Sequence, residues 1–71
     1  MRQLGGVYMG VVVGGGDPGG QGRLQVSVPS IGVGPTWAPV CNGGRGRVGG
    51  KAVIAFEAGD PDRPIVLGFL A

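Results

Sequence analysis

The sequence predicts an all-β fold, a small five-stranded barrel, and three observations carry that expectation. Apolar residues fall in short runs rich in β-branched side chains, and no segment shows a helical period of useful length. Between the runs stand clusters drawn from 18 glycines and 6 prolines, so turn signals recur at a spacing of roughly 10 residues. The remainder is apolar rather than charged, 42% against 14%, the reverse of the balance in a disordered chain.

Val7–Val13 (VYMGVVV) is the first predicted strand, and Gly10 within it marks a bend, a bulge or a close backbone approach. Gly14–Gly22 is a loop, with a turn at Asp17-Pro18-Gly19. Arg23–Pro29 alternates, with Leu24, Val26 and Val28 toward a core and Arg23, Gln25 and Ser27 toward water. Pro29 ends that ladder. Ser30–Pro35 reads as a connector and Thr36–Cys41 as a short strand that Pro39 confines to an edge or a bulge. Asn42–Gly50 is a second glycine-rich loop and carries Arg45 and Arg47. Ala52–Phe56 and Ile65–Leu70 are the last two strands, and they hold most of the aliphatic density. Pro61 and Pro64 forbid a helix between them, because proline lacks the amide hydrogen of a helical ladder. Five short strands in so small a chain point to the OB-fold, in one domain over residues 1–71.

A chain of 71 residues buries only about 60% of its unfolded surface, which leaves a marginal core. Cys41 is the only cysteine and cannot pair within the chain, and no histidine is present to ligate zinc beside it. Assembly is the remaining route to stability, so an oligomer or larger complex is expected. The net charge of +2 permits nucleic-acid contact without arguing for it. No apolar run approaches the roughly 18 residues needed to cross a bilayer. Arg2 before Val7–Val13 resembles a signal peptide only faintly, since Gly10 interrupts the run and no cleavage site follows.

Chemistry has few residues to work with, and no catalytic, cofactor-binding or metal residue is assigned. Gly14-x-Gly16-x-x-Gly19 and Gly44-x-Gly46-x-x-Gly49 match the dinucleotide pattern, but neither precedes the helix whose amino end would hold a pyrophosphate. Cys41 has no histidine to form its thiolate and reads as a small buried hydrophobe. Asp60 and Asp62 share a tight turn with Arg63, where they are expected to accept hydrogen bonds from backbone amides. Glu57, Asp60 and Asp62 offer oxygen ligands for calcium without the calcium-loop spacing. Trp37 with Arg45, Arg47 and Lys51 is the one set that could stack and neutralise a single-stranded nucleic acid. The alternative is that Trp37 packs in the core or at a subunit contact.

Phe56-Glu57-Ala58-Gly59-Asp60-Pro61-Asp62-Arg63-Pro64-Ile65-Val66-Leu67-Gly68 resembles the end of the OB-fold domain of phage baseplate central spikes and the type VI secretion VgrG family. The pattern there is an aromatic, an acid, then G-D-P-x-x-P, two hydrophobic residues, any residue and glycine. Gly22-Arg23-Leu24-Gln25-Val26 is similar to that family's G-R-V-x-V strand, preceded by a turn like Asp17-Pro18. Trp37-Ala38-Pro39-Val40 resembles W-x-R-V, and Val48–Val53 resembles V-G-D-x-V. The likeness runs from Val7 to Leu70, and it departs at Gly46 and Gly50, where proline and aspartate are common.

The resemblance implies a structural, non-enzymatic component of a phage-tail-like baseplate of a contractile injection system. It implies a homotrimeric hub or spike collar joining the tail tube to a piercing tip, in a virion assembled in the host cytoplasm. Any needle or lysozyme-like domain is then expected on another polypeptide. The implied partners are the tail tube, hub proteins and a separate tip or needle protein, with no cofactor and no membrane-spanning segment. The glycine-rich loops are expected to meet neighbouring chains, where absent side chains allow close approach. The competing reading is an OB-fold binding module for single-stranded nucleic acid or a glycan, resting on Trp37 and the basic loop.

Overall fold

The computed structural model describes residues 3–43 and 46–70. Its strands are β1 (Tyr8–Gly14), β2 (Leu24–Val28), β3 (Val33–Ala38), β4 (Lys51–Phe56) and β5 (Pro64–Phe69). They form a sheet in the order β3-β2-β1-β4-β5, with every neighbouring pair antiparallel. The sheet curls until its two edges approach. Past β3, the Val66 amide donates to the Pro39 carbonyl at 2.9 Å, and Val40 pairs with Val66 in parallel. This is the expected all-β, OB-type architecture.

The alternation anticipated for the second strand is present, with Val26 and Val28 fully buried and Gln25 and Ser27 facing outward. Ile54, Val12, Val26, Val28 and Val66 are the largest fully buried side chains, each worth about 1.5–3 kcal/mol of burial. Phe56 lies at one end of this core and meets Tyr8 edge-on, ring centroids 5.6 Å apart. Leu4, which no strand pattern singled out, is also buried, and its amide donates to the Gly59 carbonyl at 2.9 Å.

Three strand expectations need correction. The first strand begins at Tyr8, and Val7 is exposed outside it. The third begins at Val33 rather than Thr36, so only a 3₁₀ turn, Pro29–Ile31, links it to β2. Pro35 is tolerated because the pairing slips there: Val26 faces Thr36 but Val28 faces Val33, leaving Gly34 and Pro35 opposite the single residue Ser27. The strand then stops at Ala38, and Cys41 starts another 3₁₀ turn instead of ending a strand. β3 is an edge of the sheet, although Pro39, the residue expected to confine it there, lies just past its end.

Gly10 makes a close approach, as its place in a strand implied. A Cβ built on it would lie 2.3 Å from Ile54 Cδ1 and 2.8 Å from the Ser27 carbonyl oxygen. The pairing irregularity of β1 falls elsewhere, between Val12 and Gly14. Because backbone as well as side chain must shift, Gly10→Ala should destabilise the fold by about 1–3 kcal/mol, read as a lower urea midpoint.

Candidate functional site

The β1–β2 loop is organised by one carboxylate. Asp17 accepts hydrogen bonds from the amides of Gly19 (2.8 Å), Gln21 (3.1 Å) and Arg23 (3.2 Å). Its two oxygens also take the Arg23 guanidinium in a bidentate pair, from Nε and Nη2, both at 2.8 Å. The Asp17 side chain is only 2% exposed, covered by its own loop rather than by the core. The Arg23 guanidinium in turn lies over the Trp37 ring, 6.0 Å from its centroid. Gly20 and Gly22 adopt left-handed backbone (φ +66 and +72), which lets so short a loop wrap around the carboxylate. The Asp-Pro turn and the Gly-Arg strand start are therefore two halves of one lock.

That geometry holds the Asp17 carboxyl well below the usual carboxylate range. The Arg23 side-chain hydrogen bonds are the main cause; burial opposes them, and the amides of Gly19, Arg23 and Gln21 add to them. Arg23 is raised in turn, chiefly by its hydrogen bond to Asp17.

The β4–β5 turn is locked in a similar way. The Asp62 amide donates to Asp60 Oδ1 at 2.9 Å, and the Arg63 amide to the Asp60 carbonyl at 2.9 Å. The turn role expected of Asp60 is thus present, whereas Asp62 supplies the donor rather than a second acceptor. Gly59 has φ +74, and a Cβ on it would press 3.2 Å from the Leu4 amide nitrogen. Hence the G-D-P triplet: a left-handed glycine, a capping acid and a fixed φ.

The sets considered for chemistry or binding do not assemble as the sequence allowed. Glu57 and Asp60 turn toward Arg63, at 3.6 and 3.9 Å, so the cation nearest them is a guanidinium. Among the described residues no group of three ligand-type side chains gathers to hold a metal ion. Trp37 is not in the core. It lies half-buried on the outer face of β3, opposite Gln25, and lines a hollow of about 200 Å³ with Pro39, Glu57, Asp62, Arg63, Pro64 and Ile65. Arg47 and Lys51 line a different hollow, of about 360 Å³, with Gly46, Gly50, Phe69 and Leu70. The stacking residue and the cations are therefore apart, and Arg45 lies outside the described residues.

Cys41 is exposed, contrary to expectation. Val40 takes the place beside Val66, and the left-handed backbone at Asn42 (φ 58) turns the chain away from the core. Gly14-x-Gly16-x-x-Gly19 runs into the Asp17 turn and then β2, not a helix. The second copy of that pattern begins at Gly44, outside the described residues. Within it, Gly46 has a packing role: a Cβ there would lie 2.3 Å from the Phe69 ring.

The fold and its two locked turns coincide with the segments of family resemblance. The family described as the type VI secretion system/phage-baseplate injector OB domain matches residues 8–70. The chain belongs to that family. A comparison with curated proteins gave no match. Membership makes this an injector OB domain with a structural role in a baseplate-type assembly, and its partners are components of that complex. No helix among the described residues is long and apolar enough to cross a membrane.

Two outcomes test the locks of this injector OB domain. Asp17 has a lowered folded value, so its lock contributes fully above the ordinary carboxylate value of 3.8 and is lost as pH falls below it. Asp17→Asn should therefore melt lower than the wild type at neutral pH, and the two melting temperatures should converge as pH drops from about 4 toward 2. Asp60→Ala should cost about 0.5–1.5 kcal/mol in urea unfolding, the worth of the turn hydrogen bond it removes.

Proposed function

We propose that this domain is part of the central hub or spike collar of a phage-tail-like baseplate. In this reading it forms a homotrimer that joins the tail tube to the piercing tip. It resides in the virion after assembly in the host cytoplasm. It performs no chemistry and acts mechanically, as a rigid unit that transmits thrust.

The match to the injector OB family over residues 8–70 carries the reading. Two features of the molecule support it. Both long turns are tied by internal hydrogen bonds to Asp17 and Asp60, which suits a part that must resist deformation. The hollow beside Trp37 is walled by Glu57 and Asp62 as well as Arg63, so its charges offset one another and it offers no concentrated basic face to a phosphate backbone.

The test is mass in solution together with a titration. Sedimentation of the purified chain should give three times the mass of one chain. Fluorescent single-stranded DNA at low salt should show no saturable binding. A monomer that binds such DNA at micromolar concentration, and loses the binding in Trp37→Ala, would overturn the proposal in favour of a nucleic-acid module.

A further inference from the structure

Two hollows meet at Asp62. One is the hollow of about 200 Å³ that Trp37 lines with Glu57, Arg63 and Pro64. The other, of about 520 Å³, lies between residues 33–36 of β3 and Pro61 of the β4–β5 turn. Together they make a cleft along the free edge of β3, with Asp62 common to both parts. Asp17, Asp60 and Glu57 each have a partner, but among the described residues the Asp62 carboxylate accepts no hydrogen bond and forms no ion pair.

The lining combines an apolar plate with groups that bind hydroxyls. Trp37 is half-buried and turns part of its ring to the hollow. Glu57 and Asp62 supply carboxylate acceptors and Arg63 a planar fork of donors, all three exposed. Thr36 adds a hydroxyl in the larger part. Glu57 and Arg63 offset each other at 3.6 Å, so neither a polyanion nor a polycation meets a concentrated opposite charge. An added peptide strand is a poor fit as well. It needs a row of amide donors along β3, and Pro35 and Pro39 have none.

A neutral molecule with an apolar face and a rim of hydroxyls suits this lining. A sugar ring is such a molecule: its C–H groups cover a flat apolar plate, and its hydroxyls both donate and accept. Hydrogen bonds from hydroxyls to ionised partners are about twice as strong as neutral ones.

The groups are also held in place before any ligand arrives. Arg23, gripped by Asp17 in a bidentate pair, lies over the Trp37 ring. The backbone that carries Asp62 and Arg63 is tied to Asp60 through both of their amides. A site ordered in advance loses little freedom on binding.

We propose that this cleft binds a neutral saccharide. One sugar ring lies against Trp37, its hydroxyls donating to Glu57 and Asp62 and accepting from Arg63. The next ring lies beside Thr36, on the far side of Asp62. Arg47 and Lys51 take no part, so the site differs from the basic set that the sequence suggested. It adds a ligand to the mechanical reading and does not depend on the number of chains in the assembly.

Trp37 is the only tryptophan, so its emission reports on the site directly. The full chain is titrated with cellobiose, maltose and N,N′-diacetylchitobiose at neutral pH, with thermal melting as the check on folding. At least one disaccharide should change the emission saturably, half-maximal at about 1 mM. Asp62→Ala keeps the amide that the turn uses and should raise that concentration about tenfold or more. Lys51→Ala, in the other hollow, should leave it unchanged. Trp37→Ala, followed by calorimetry, should bind none of the three. No saturable change with any of them at about a hundredfold higher concentration overturns the proposal. Equal binding by Asp62→Ala and the wild type also overturns it, and so does binding lost in Lys51→Ala. If Trp37→Ala fails to fold, the Asp62→Ala result decides.

Discussion

Gly10 sits in the central strand of the sheet, where β1 is flanked by β2 and β4. Any side chain there would strike Ile54 Cδ1 and the Ser27 carbonyl together. The curl of the sheet depends on that vacancy. With no Cβ in the way, β4 brings Ile54 across the barrel and β2 closes over it, so Val12, Val26, Val28 and Val66 surround one another. A sheet held flat at this point would part its edges, and the Val66–Pro39 hydrogen bond that joins them could not form. In so small a domain the core is thin, and one methyl group at its centre changes how tightly it closes.

Around that centre, polar groups do the tying that a larger core would otherwise do. Asp17 gathers three amides and a guanidinium, and Asp60 caps its own turn. Asp17 is wholly engaged within its loop, and Asp60 gives one oxygen to its own turn. The spacing that carries the resemblance, Asp-Pro before Gly-Arg and then G-D-P, thus has a mechanical meaning here. The motifs that carry the likeness to injector OB domains are turn locks and strand starts.

The strands were largely legible from residue type. Leu24–Val28 alternates because one face is wet, and Ala52–Phe56 and Ile65–Leu67 are bounded by prolines that stop any helix. The misplacements have local causes. Val33 and Gly34 precede Pro35, and a proline ordinarily argues against a strand; only the slip opposite Ser27 makes room for it. Cys41 looked buried because free cysteine usually is, but its side is set by Val40 occupying the seam beside Val66. Leu4 gave no periodic signal at all. It is buried because the β4–β5 turn folds back over it, a contact more than fifty residues distant in sequence.

By itself, the sequence determined the fold class, the turns and the family, since each depends on local chemistry: β-branched runs, prolines that stop ladders, and glycines where backbone turns left. It also held both halves of the Asp17–Arg23 lock in one short loop, although nothing local said that Arg23 would cover Trp37. Tertiary structure alone decided what stands beside what. It separated Trp37 from Arg47 and Lys51, placed Phe69 over Gly46, and brought Trp37 beside the β4–β5 turn. Those relations depend on strand order and on how far the sheet curls, and both are set by packing between residues far apart in the chain.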